Sequence, residues 1–242
     1  MPINYFSHVQ ELLKTVEKNE GEAMNLVAEE VANAIECDGI IHLFGCGHSH
    51  LLTEETYFRA GGLVPVRPIL HEPLMLHEGA VQSSTLERQN NYAGIFMEDQ
   101  DIRSGDVMIV FSNSGRNPVP IDVALIAKAK GAIVVGITSI TYAKSQPSLH
   151  KDEKYLHNVV DMVIDNHVPT GDAVLNHPFV AVSYGPVSTT IGATIINHMF
   201  AKAIGLLAEQ GIDAPVFLSG NLAGADQHNQ ALVDKYKNRI TF

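Results

Sequence analysis

The period of apolar and polar positions changes several times along the chain. Val9, Leu12, Leu13 and Val16 fall at the i, i+3, i+4, i+7 spacing of one helical face. After an interruption at Asn19–Gly21 the pattern resumes at Ala23, Leu26, Val27, Ala34 and Ile35. "GIIHLFGCG" then reads as a short apolar strand ending in glycines, and "HLLTEETYFRAGG" as a helix closed by Gly61 and Gly62. The unit recurs. "LVPVRPIL" is a weaker strand whose prolines suit a sheet edge, "DVMIVFSNSG" a strong one followed by the helix "PIDVALIAKAKG", and "AIVVGITS" and "VVDMVID" complete five. Near-continuous apolar strands alternating with helices predict a parallel sheet covered on both faces.

Other segments are less regular. Residues 71–104 have no clean period and read as a helical or looped insertion, and 142–158 and 165–186 as polar loops. "TTIGATIINHMFAKAIGLLAEQG" is a long helix, apolar over much of its circumference, that must be buried against the sheet or another subunit, and "DQHNQALVDKYKNRITF" ends the chain as an amphipathic helix. The expected architecture is a three-layer α/β/α, doubly wound five-stranded parallel sheet of flavodoxin-like order. The chain reads as one domain over residues 1–242: a helical N-terminal arm (1–38), an α/β core (39–211), and a loop with a C-terminal helix (212–242).

Composition narrows the function. Hydrophobic residues at 45% and charged residues at 18% suit a folded globule, and a formal charge of −11 argues against a nucleic-acid or anionic-membrane partner. An anionic small ligand is still compatible, because backbone N–H groups can hold it locally. Cys37 and Cys46 form no disulfide framework or zinc site. "MPINYFSHVQELLK" lacks a basic region followed by an apolar stretch, and no uninterrupted apolar stretch approaches the roughly 18 residues of a membrane span. A reducing cytoplasm is the expected compartment.

In a sheet of this order, ligands bind where strand order reverses, outside the carboxyl ends of the first and third strands. The turns leaving those strands are "GCGHSH" (45–50) and "SNSGRN" (112–117). The second suits a phosphate. Ser112 and Ser114 offer hydroxyls, Gly115 admits close approach, Asn117 donates through its amide, and a helix starting near Pro118 turns its free N–H groups to the same spot. The same residues also suit a turn that merely caps a helix. The first turn fails as a dinucleotide fingerprint, since His50 holds the third glycine position, and Ser49 fits better as a hydroxyl contacting a sugar. His48 with His50, and Asp226 with His228, lack the ligand count of a metal site. No cofactor is expected.

"FSNSG" after the third strand and "FGCGHS" after the first resemble the S-x-S-G and glycine-serine turns of the sugar isomerase (SIS) domain over roughly residues 20–210, near the phosphoheptose isomerases and muramate-phosphate etherases. That resemblance implies a phosphorylated sugar as ligand. Its phosphate would lie on Ser112, Asn113, Ser114, Gly115 and Asn117, with the sugar near Gly47 and Ser49, and the protein would be a homodimer with sites shared between subunits. His198 resembles the ring-opening His of the heptose isomerases; as a residue it reads equally as a histidine satisfied inside an apolar helix. Those enzymes and the etherases carry a catalytic Glu about three turns after the first turn, where this chain has Arg59, so Glu72 and Glu78 become the candidate bases. The reaction implied is isomerisation or epimerisation through an enediol, with ether cleavage as a variant. The alternative is a sensor that binds a phosphosugar without turnover.

Overall fold

The computed structural model describes residues 4–242. Five parallel strands, β1 (Ile41–Gly45), β2 (Val66–Pro68), β3 (Val107–Phe111), β4 (Ile133–Thr138) and β5 (Met162–Asp165), form one sheet in the order β2-β1-β3-β4-β5. This is the doubly wound arrangement expected. The three-residue β2 lies at the edge, as Pro65 and Pro68 require.

Alternation within the strands builds two cores. Ile41, Leu43, Val107, Ile109 and Phe111 face one layer made of α1 (Tyr5–Glu36) and the long helix Ser188–Glu209. Phe44, Met108, Val110 and Val134 face the other layer. In chain order the intervening helices are α2 (Leu51–Glu55), α3 (Leu76–Leu86), α4 (Gly94–Met97), α5 (Pro118–Ala129), α6 (Ile140–Ser145) and α7 (Leu156–Val159). The second layer rests mainly on α4, α5 and α7. The long helix is α8, and α9 (Ala225–Tyr236) follows it.

The helical N-terminal arm is α1, a single helix of 32 residues that runs unbroken through Asn19–Gly21. A glycine inside a helix costs about 1 kcal/mol relative to alanine. Burial of Val16, Met24, Val27, Val31 and Ile35 on one stripe outweighs that cost. Two other expectations are corrected. The helix after the first turn ends at Glu55, because Tyr57 and Phe58 leave it to pack with Phe217 and Phe242, which holds Phe58 at φ 46°. Within 165–186, Leu175–His177 and Val180–Tyr184 are not loop but the strands β6 and β7 of an antiparallel hairpin.

At the amino edge of the sheet, Asp106 joins both halves of the fold. Its carboxylate accepts the Ile40 N–H at 2.9 Å, the Arg103 N–H at 2.8 Å, His42 Nε2 at 3.0 Å and Arg239 Nη2 at 2.7 Å. The bond to Ile40 fixes how β1 lies beside β3, with Ile41 opposite Val107 and, one strand length on, Gly45 opposite Phe111. Burial alone would raise the Asp106 pKa, but these donors hold it far below the ordinary carboxylate range. Burial lowers the pKa of His42, against the pull of Asp106.

Both groups titrate on the acid side of their ordinary values, so unfolding takes up protons. The contribution of these two groups is therefore full above about pH 6.5 and falls with pH, first as unfolded His42 charges and again below about pH 4 as unfolded Asp106 protonates. Urea midpoints across pH 3–7 should show this decline. Asp106→Ala leaves Arg239 and the Ile40 N–H without their buried partner, and should cost about 3–5 kcal/mol in the same assay.

Candidate functional site

Because Gly45 lies opposite Phe111, the turns that leave β1 and β3 emerge side by side. They line a cleft of about 360 Å³, with Gly47, His48 and Ser49 from the first and Ser112, Asn113, Ser114 and Asn117 from the second. The far wall is α3, through Ser83, Ser84 and Glu87. Tyr142, Asp172 and Ser188 close the remaining side. Among the described residues no Lys or Arg lines the cleft.

The second turn is built from its backbone outward. Ser112 N–H donates to Ile137 O at 3.1 Å, continuing the β3–β4 ladder, and Gly115 N–H folds back onto Ser112 O at 3.1 Å. Gly115 has φ +60°, and a Cβ there would stand 2.6 Å from Thr138 Oγ1, so the turn closes onto β4 only with glycine. Asn113 is held from both ends: its carbonyl accepts Ser139 N–H at 3.0 Å and its side-chain Oδ1 accepts Asn166 Nδ2 at 2.9 Å. The N–H groups of Asn113, Ser114 and Asn117, three residues that line the cleft, find no acceptor among the described residues, and such free donors suit an anion.

The helix N-terminus behind this turn does not add donors, contrary to expectation. Pro118 and Pro120 have no N–H, and Val119 N–H donates to Glu87 O at 3.2 Å. Arg116 is likewise diverted, its Nε donating to Pro147 O at 2.8 Å. Phosphate-type recognition here would rest on neutral hydroxyls, amides and backbone N–H groups.

Glu87 is the group that sequence reasoning missed. It lies just past α3, in a stretch with no clear period, and α5 reaches it twice: Asn117 Nδ2 donates to its Oε1 at 2.8 Å and Val119 N–H to its carbonyl. Burial raises its pKa above the ordinary glutamate value, opposed by Arg88. The buried Cys46 thiol is pushed well up by burial and by Glu87, so it stays protonated and weakly nucleophilic.

Other candidates lie elsewhere in this chain. Glu72 is exposed in a short 3-10 turn and Glu78 is exposed beside His77; neither lines the cleft. His198 is exposed on α8 and lines a groove between α1 and α8. Arg59 pairs with Glu55 on the surface. His50 turns toward Gly47 O and His228 Nε2 donates to Val216 O at 2.9 Å. Among the described residues no group of three His, Cys, Asp or Glu side chains converges on a metal position.

The fold and cleft define a doubly wound α/β protein with a polar, hydroxyl-lined cleft at its strand-order reversal. The SIS domain model matches residues 4–139. A UPF0309 protein of Halalkalibacterium halodurans is 58% identical over 99% of this chain and 96% of its own length. A UPF0309 protein of Listeria innocua is 55% identical over 98% of this chain and 96% of its own length. Among solved structures, phosphoheptose isomerase GmhA from Neisseria gonorrhoeae aligns over 84% of this chain and 95% of its own, at TM-score 0.53 and 15% identity. The sugar isomerase domain of an RpiR transcription factor from Sphaerobacter thermophilus aligns over 98% of both chains, at TM-score 0.51 and 14% identity. The chain belongs to the SIS domain family.

Gly115→Ala tests the turn as built. Strain at positive φ and the contact with Thr138 should lower stability by about 1–3 kcal/mol in urea unfolding. Spare room at that position would instead leave the midpoint unchanged.

Proposed function

We propose that this chain, read as one SIS domain over residues 1–242, binds a phosphorylated sugar in the cleft and acts on it as an isomerase or epimerase. The carrying observation is the meeting of the two turns beside a partly buried carboxyl. The phosphate sits on the donor cradle of the second turn, with Ser112, Ser114 and Asn117 offering side-chain contacts. The sugar extends toward Gly47, Ser49 and α3.

Glu87 is the proton-transfer group in this reading. As carboxylate it removes the proton from the carbon next to the carbonyl, leaving an enediolate, and as carboxylic acid it returns that proton to the neighbouring carbon in isomerisation. A carboxyl whose pKa is raised by burial is a better-matched base near neutral pH than an exposed one. His48, an exposed residue lining the cleft, takes the ring-opening role in this reading. Elimination of an ether substituent would begin with the same abstraction. The protein acts in the cytoplasm as a homodimer, without cofactor, nucleic-acid or membrane partner; the charge of −11 supports the last two exclusions.

A sensor without turnover is the second reading, favoured by the position of Glu72, Glu78 and His198 outside the cleft. Two variants separate the readings. Ser112→Ala combined with Ser114→Ala should weaken calorimetric binding of sugar phosphates at least tenfold; unchanged affinity across a broad panel would remove the phosphate assignment. Glu87→Gln should retain binding and slow deuterium exchange at C2 by about 10²–10⁴-fold. Wild-type binding without exchange or elimination would leave only the sensor.

A further inference from the structure

The cleft is polarised, with donors along the turn after β3 and acceptors on its other walls. Ser112 Oγ accepts the Gly115 N–H at 3.3 Å, which leaves its own hydrogen free to point outward. The N–H groups of Asn113, Ser114 and Asn117 beside it are uncommitted among the described residues. At the start of α8, one oxygen of Asp172 accepts the Val187 and Ser188 N–H groups at 3.0 and 2.8 Å, and the other accepts the Ser188 hydroxyl at 2.5 Å. A carboxylate only accepts, so Ser188 commits its one hydrogen there and has only lone pairs left for a ligand. At the end of α3, Glu87 Oε1 accepts Asn117 Nδ2 at 2.8 Å, and among the described residues no side chain donates to Oε2.

Two carboxylates thus border the cleft, and the cations that could offset them are engaged elsewhere. Arg116 donates to Pro147 O, Arg59 pairs with Glu55 on the surface, and Arg88 is exposed to water. Among the described residues His48 is the one lining group able to turn positive. A phosphate on the donor side meets matching partners. A second anionic group, carried by the sugar toward Glu87 and Asp172, meets two like charges and loses its water without a partner in exchange. Sugar hydroxyls suit the same walls, since each can donate to Glu87 or to the Ser188 lone pairs. Specificity of this kind works by rejection.

We infer that the cleft selects sugar monophosphates whose phosphate is their only anionic group, and rejects sugar-acid phosphates and sugar bisphosphates. The inference rests on the phosphosugar reading and narrows it. Of the ether-cleavage variant it leaves only ethers whose substituent carries no carboxylate.

Calorimetry at pH 8, above the ordinary titration range of histidine, tests it with monophosphates set against more anionic counterparts. Suitable pairs are fructose 6-phosphate with fructose 1,6-bisphosphate and glucose 6-phosphate with 6-phosphogluconate, extended to other aldose and ketose phosphates. The wild type should bind the monophosphate of each pair at least about tenfold more tightly. Glu87→Gln keeps the shape of the side chain and removes its charge, so it should narrow that gap by about threefold or more, with an unchanged circular dichroism spectrum. In the wild type the gap should also shrink between about 20 and 500 mM salt, a readout that needs no variant. Equal affinity within the pairs would overturn the inference and leave the phosphosugar reading standing. A gap unmoved by salt or by Glu87→Gln would mean that shape, not charge, rejects the second anion, and would overturn it as well. Failure of every compound in the panel to bind would overturn the phosphosugar reading, and the inference with it.

Discussion

The geometry of the cleft is set at the opposite edge of the sheet, where one carboxylate fixes how the two central strands lie against each other. Asp106 binds the backbone ahead of β1 while standing at the start of β3 itself, so the register of the pair is specified before either strand begins. A slip of one residue would turn every side chain of one strand to the wrong layer. It would also move the β1 turn away from the β3 turn by one strand residue, about 3.3 Å, a displacement larger than any hydrogen bond can follow. His42 and Arg239 surround this carboxylate, so the C-terminal segment contributes to the same lock.

The cleft this lock supports presents no Lys or Arg side chain among the described residues. With Arg116 diverted to Pro147 and the α5 N-terminus closed by two prolines and Glu87, the remaining donors are hydroxyls, amides and free backbone N–H groups. Such donors are fixed by the turn itself and lose little freedom on binding. They also leave the Glu87 carboxyl with only the opposing field of the neighbouring Arg88, and burial raises its pKa. A lysine in the same cleft would have strengthened anion attraction and lowered that pKa at once.

What could be read in advance follows from how local each signal is. β1, β3 and β4 are buried on both faces and appear as unbroken apolar runs, and their order follows from the general behaviour of doubly wound sheets. The two turns announce themselves by Gly and Ser at strand ends. Glu87 does not, because its role comes from contacts with Asn117 and Val119, 30 residues or more away in the chain. The end of α2 at Glu55 was hidden for a similar reason: the aromatic partners Phe217 and Phe242 that draw Phe58 out of the helix belong to the far end of the sequence. The hairpin escaped because Asn176, Pro178 and Ser183 resemble loop composition, and strand pairing is a relation between two segments.

The double attachment of Glu87 to α5 has a mechanical consequence. Its carbonyl is tethered to Val119 and its carboxyl to Asn117, and both anchors flank the turn that would receive an anion. Any displacement of that turn is carried through two short links to the end of α3, so the Glu87 carboxyl and the turn move together. In the proposed reaction, occupancy at one end of the cleft would thereby set alignment at the other.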